Sequence, residues 1–272
     1  MLDGGADVNQ RLLRGETVLM DASKRNNPAL VTLFLEKGAN INAQDAAGVT
    51  PLFAACNALV YTDAPQIQLW HGKKRVYRTM SSSCGNVVIV RQLLQQKADV
   101  NLYSADFVTP LMTAIANEND QIVLLLLNAG AHPNARNRNG LTALMLVPRA
   151  EMTRSHTSLS VPRSHTSLSV LFSLLLRAHA RVSDRSFDGN SALTWAADKD
   201  NEDAVRLLIQ QGADVNAVNR SGHTALWFAF NNGDKPMVDF LLSHGANKKT
   251  SHGAALPKWK AGVGNYNICG LR

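Results

Sequence analysis

Eight histidines and three cysteines are the residues of this chain best suited to metal or nucleophilic chemistry. Their spacing supports neither: no two recur at the short intervals of a zinc site, and Cys56, Cys84 and Cys269 are scattered. Arg154-Ser-His-Thr-Ser-Leu-Ser-Val161 is repeated as Arg163-Ser-His-Thr-Ser-Leu-Ser-Val170, which places serine beside histidine twice. A nucleophile of that kind also needs an acidic partner and a pocket-forming framework, and neither accompanies the copies. They read as a low-complexity serine-rich loop with the arginine spacing of a basophilic kinase site. No Gly-x-x-x-x-Gly-Lys-Ser/Thr loop is present, nor a Gly-x-Gly-x-x-Gly after a strand. The residues predict no catalytic site, no metal and no cofactor.

What remains is recognition chemistry. Lys73-Lys-Arg-Val-Tyr-Arg78 follows Trp70, so cations and aromatic rings alternate as in a nuclear-import signal or a phosphate-contacting patch. Charge is concentrated in three places. Lys73, Lys74, Arg75 and Arg78 against Asp63 give +3; Arg149, Arg154 and Arg163 against Glu151 give +2; residues 248–272 give +5. The whole chain carries +7, so the rest is net −3. The basicity belongs to these three segments and not to the framework.

The framework is a repeat. Gly5-Ala-Asp-Val-Asn9 returns at 212–216, with degraded copies at Gly38–Asn42, Lys97–Asn101, Gly130–Asn134, His179–Ser183 and Gly245–Asn247. In step run Thr17-Val-Leu-Met, Thr50-Pro-Leu-Phe, Thr109-Pro-Leu-Met, Thr142-Ala-Leu-Met, Ser191-Ala-Leu-Thr and Thr224-Ala-Leu-Trp. The interval is 33 residues, broken twice by insertions. Thr or Ser is suited to cap a first helix, with Pro51 and Pro110 at its first position. A second helix follows with apolar residues at i, i+3 and i+4, as in Val31/Phe34/Leu35 and Val205/Leu208/Ile209. Helices this short are unstable alone, so stacking must hold them.

These residues resemble the ankyrin repeat, a β-turn plus two helices. The expected fold is an all-α ankyrin-repeat solenoid of about six helix-turn-helix repeats with β-turn tips. The repeats run about 10–42, 43–101, 102–134, 135–183, 184–216 and 217–249, after a partial repeat at 1–9. Loop insertions lie at about 58–83 and 146–169, within repeats two and four, and 250–272 is a basic tail or a degenerate half-repeat. The incomplete ends suggest a fragment of a longer protein. The signature histidine is replaced by Met20, Phe53, Met112, Met145, Thr194 and Trp227, so contacts between repeats should be apolar. Pro148 should end its helix early. Lys97 and His179 take the place of a C-cap glycine, and Phe107 that of a turn glycine; at positive φ each costs roughly 1 kcal/mol. Repeats two to four are the expected weak middle. The family topology would bring Cys56 and Cys84 close, as two small residues at helix ends.

The resemblance also implies a function: ankyrin proteins bind partners with turn tips and the groove-facing positions of first helices. That register holds Asp21, Ala54, Thr113, Leu146, Trp195 and Phe228, and the tips carry Arg136, Arg138, Arg185, Phe187, Arg220 and His223. Aromatic residues flanked by arginine dominate binding hot spots. The expected function is a non-catalytic protein–protein interaction module, with Trp195 and Phe228 as anchors and the arginines selecting acidic partners. An RNA- or anionic-lipid-binding protein using the basic segments is the alternative. The start of the chain lacks the apolar stretch of a signal peptide, no apolar run approaches a membrane span, and the cysteines suit a reducing compartment. Cytoplasmic residence, with nuclear access through Lys73–Arg78, is the expected localisation; oligomeric state and partner identity are not encoded in these motifs.

Overall fold

The computed structural model describes residues 7–57, 61–70, 73–80, 86–150 and 166–247. Cys84, the first copy of the serine-rich duplication and the basic tail lie outside the described residues. The chain divides into two compact bodies, residues 1–138 and 139–272.

The first body holds three helix pairs: α1 (Val18–Lys24) with α2 (Pro28–Glu36), α3 (Pro51–Cys56) with α4 (Val87–Gln95), and α5 (Pro110–Ala116) with α6 (Asp120–Asn128). First helices pack on first helices, α1 on α3 on α5, and second helices do likewise. Between α3 and α4 run β1 (Tyr61–Trp70) and β2 (Lys73–Met80), an antiparallel ribbon in register from Pro65 opposite Arg78 to Trp70 opposite Lys73. The first insertion is therefore not simply a loop. The second body holds α7 (Ala143–Ala150) with α8 (Thr166–Arg177), α9 (Ala192–Asp198) with α10 (Glu202–Gln210), and α11 (Ala225–Asn232) with α12 (Lys235–Ser243). There α7 packs on α9 and α9 on α11.

Local chemistry explains where these helices begin. The hydroxyls of Thr17, Thr50, Thr109, Ser191 and Thr224 each accept the backbone N–H three residues on, at 3.1–3.4 Å. Second helices start on another side chain: Asn27, Asn86, Asn119, Asn201 and Asp234 accept the N–H of Leu30, Ile89, Ile122, Ala204 and Met237. Such caps are each worth about 1 kcal/mol. The residue before four of these caps is left-handed: Asn26, Glu118, Asp200 and Gly233 have φ of 56°, 54°, 56° and 78°. The expected strain is present as well, since Lys97, Phe107 and His179 have φ of 62°, 58° and 62°.

Pro148 does not end α7, which continues to Ala150. The proline forfeits its own amide bond, whose acceptor would be Leu144, but the helix runs only two residues further. The second insertion is correspondingly shorter than the expected 146–169, because α7 takes its first residues and α8 begins at Thr166. The second serine-rich copy thus supplies the first turn of α8, ahead of the buried Leu171, Phe172 and Leu175.

The turn tips stitch repeats together through the backbone. Ala46 N–H donates to Arg14 O at 2.9 Å, Ala105 to Ala47 at 2.7 Å, Phe187 to Asn139 at 3.1 Å and Arg220 to Asp188 at 2.9 Å. Close approach explains the tip glycines: a Cβ on Gly189 would lie 2.9 Å from Arg220 N, at a φ of +78° that already disfavours other residues. The asparagine ending the Gly-Ala-Asp-Val-Asn string is a second stitch. Asn9, Asn101 and Asn216 each donate from Nδ2 to the carbonyl of Gly38, Gly130 or Gly245 and accept the N–H of Asn40, His132 or Asn247.

Candidate partner-binding surface

Trp195 and Phe228 occupy the same register on α9 and α11, the two first helices that pack together in the second body. Capping by Ser191 and Thr224 sets the rotation of each helix. The apolar stripe of Leu193 and Ala196, or Leu226 and Ala229, then faces the interior and the next position turns outward. Both aromatic residues are half-buried, which gives them a fixed orientation and an accessible face.

Phe228 belongs to a cluster. The His223 ring stacks on Trp227 with centroids 3.6 Å apart and planes 5° from parallel. Phe228 sets its edge against both, at 5.9 Å from His223 and 5.1 Å from Trp227. Such geometry suits the ring quadrupoles and holds the three as one platform. At the position of the signature histidine Phe53 and Trp227 are half-buried, whereas Met20, Met112, Met145 and Thr194 are buried. The signal available in the sequence was His223 and Trp227 four residues apart at a helix start. Lys199 brings its ammonium 5.9 Å from the Trp195 ring centroid and pairs with Asp198 at 2.8 Å. Asn232 donates to the carbonyls of Ala197 and Asp198, fastening α11 to the end of α9.

The tip arginines divide. Arg185 donates to Val218 O at 2.7 Å and lies 3.7 Å from the Asp214 carboxylate, so it is a clamp between consecutive tips. Arg11 does the same 33 residues from Gln44 O, and Gln44 reaches Tyr103 O. Arg138 is paired with Asp106 at 2.9 Å in the first body, where Arg136 also lies. Arg185 and Arg138 are thus engaged within the fold. Arg220 is exposed, with its N–H on Asp188 O. Phe187 is 54% exposed, yet its backbone and ring lie so close to Gly140 that a Cβ there would be 2.8 Å away.

At the end of α9 and the start of α12, Asp200 has its pKa raised, first by burial and then by a hydrogen bond to Asp234 and the charge of Glu202. Among the described residues no group of three His, Cys, Asp or Glu is placed to hold a metal. Burial pushes the Cys56 thiol up, so it is a poor nucleophile. Among the described residues, no helix is long and apolar enough to cross a membrane.

Stacked helix pairs with chemistry displayed on helix faces and turn tips define a tandem-repeat interaction module. The chain belongs to the ankyrin-repeat family: a model described as ankyrin repeats (3 copies) matches residues 79–149 and 163–252, and one described as ankyrin repeats (many copies) matches 1–52. The B-cell lymphoma 3 protein homolog of Mus musculus is 35% identical over 140 residues, 51% of this chain and 29% of that protein. The Homo sapiens B-cell lymphoma 3 protein is 33% identical over 158 residues, 56% of this chain and 32% of that protein. Homo sapiens neurogenic locus notch homolog protein 1 is 27% identical over 238 residues, 82% of this chain but 8% of that protein. The chain therefore spans about a third or less of the curated relatives it matches. Its family supports a protein–protein interaction role.

Proposed function

We propose that the chain binds a protein segment along the outward face of α9 and α11, without catalysis. Trp195 and the Phe228–Trp227–His223 platform are the apolar anchor, and Arg220 is the cation that favours acidic residues in the partner. The observation that carries this reading is the pair of half-buried aromatic residues at one register of two packed helices. Aromatic side chains of this kind supply much contact area at little entropic cost. Residence in the reducing cytoplasm, with nuclear access through Lys73–Arg78, fits the free, buried Cys56.

The test is affinity capture and calorimetry against captured partners, with wild type beside Trp195→Ala and Phe228→Ala, each checked first by circular dichroism. A hot spot costs roughly 2–4 kcal/mol on truncation, and Arg220→Ala should act chiefly on association rate and salt dependence. Arg185→Ala should lower stability and leave affinity nearly unchanged, because its guanidinium is engaged between tips. Full affinity in a folded Trp195→Ala variant refutes the groove. Loss of binding with rising salt and on removal of 248–272 would instead favour RNA or anionic lipid on the basic segments.

A further inference from the structure

Each tip is a tight turn whose last residue has positive φ: Gly15, Gly48, Gly140, Gly189 and Gly222 at 72–78°. At the third tip that residue is Phe107, at 58°, and its N–H still closes the turn on Ser104 O at 2.8 Å. Four residues earlier in the same register, Arg11, Gln44 and Arg185 hold the carbonyls of Gln44, Tyr103 and Val218 in the next tip. The third tip has Tyr103 at that place, and its ring lies beside Phe107 with centroids 5.2 Å apart. One tip has exchanged both its glycine and its clamp for aromatic residues, and leaves them 47% and 51% exposed. Burial does not offset the left-handed strain of Phe107. Strain retained under an exposed aromatic pair points to recognition.

We propose that the tips of the second and third repeats bind a proline-rich segment of a partner protein in the polyproline II conformation, with Tyr103 and Phe107 as the stacking rings. This is a second surface, on the first body. Ala46, Ala47 and Ala105 are exposed beside the rings, and the bond from Ala105 N–H to Ala47 O at 2.7 Å joins the two tips into one ridge. Spacing selects the occupant. Tips carried on packed helices recur at roughly 8–10 Å. A polyproline II segment repeats every three residues, about 9 Å, so one face meets successive tips. Residues on one face of a strand recur at about 7 Å and helical turns at about 5 Å, and both fall out of step. Charge agrees with an uncharged segment. Asp106 is paired with Arg138 at 2.9 Å, and Asp45 accepts the N–H groups of Ala47 and Val49, both at 2.8 Å. Proline rings dock on adjacent aromatic side chains, and such a segment is ordered before it binds.

Fluorescence anisotropy of fluorescein-labelled decaproline titrated with the full chain tests this. The expected result is saturable binding with a Kd below about 1 mM, which a glycine–serine decapeptide does not show. Phe107→Gly should weaken it by about tenfold or more while the melting temperature holds or rises, because the strain leaves with the ring. Tyr103→Ala should weaken it likewise, and keeps the test valid if Phe107→Gly unfolds. Leu124→Ala, on the exposed face of α6, is the control and should leave binding intact. Decaproline that does not saturate overturns the proposal. So does equal binding of the glycine–serine peptide, an affinity unmoved by Phe107→Gly and Tyr103→Ala, or an equal loss with Leu124→Ala. Sedimentation velocity showing that these rings join two copies of the chain overturns it as well.

Discussion

Replacing Lys97 by glycine should stabilise the first body. Lys97 follows the C-cap of α4 at φ 62°, where its N–H donates to Leu94 O and that of Ala98 to Leu93 O, both at 3.0 Å. The side chain is exposed, so its removal leaves no cavity. A left-handed non-glycine residue costs roughly 1–2 kcal/mol through crowding of Cβ against the carbonyl. Glycine removes that strain but adds about 0.4–1 kcal/mol of freedom to the unfolded chain. The net gain is about 0.5–1 kcal/mol, equivalent to about 1–4 °C in melting temperature for a body of this size. Gly38→Ala is the mirror experiment: its φ is +82° and no atom lies within 4 Å of the added Cβ, so strain alone should destabilise by a similar amount. Phe107→Gly relieves the same strain but gives up the Tyr103 ring, whose centroid is 5.2 Å away, and should gain less. Urea unfolding, with amide exchange at Leu94 to Ala98 as the local readout, measures all three. If Lys97→Gly is neutral while Gly38→Ala is also neutral, left-handed strain is not what sets the stability of these helix ends.

Two further outcomes follow from other parts of the structure. Deleting residues 154–162, one copy of the duplication, should leave folding and melting temperature unchanged, because the second copy starts α8; a variant that fails to fold would show that the first copy packs. Asp200→Asn should stabilise the α9–α12 region at neutral pH and have little effect in acid, read by urea unfolding at both pH values. The raised pKa, from burial and then Asp234, means that the neutral carboxyl is favoured in the folded state, so stability is fullest at low pH and is lost as pH rises through the folded pKa. A wild-type chain that instead loses stability in this region on mild acidification would contradict that sign.

The sequence alone determined what depends on near neighbours. The Thr and Ser caps act three residues ahead, so a periodic Thr-x-Leu announces each first helix, and Lys97, Phe107 and His179 were legible as strained because left-handed φ is a property of single positions. The caps on second helices are equally local, since Asn27, Asn119 and Asn201 recur in register three residues ahead of the N–H each accepts. Tertiary structure decided whatever depends on a neighbour one repeat away. A guanidinium reads as a free binding cation until Val218 O is found 33 residues on from Arg185. Trp227 shares its register with buried methionines yet is half-buried, as Phe53 is, with its ring stacked on His223 and edge-on to Phe228. Leu30 has the same apolar character as Ile89 and Ile122; one is open and two are sealed because burial belongs to the stack and not to the residue.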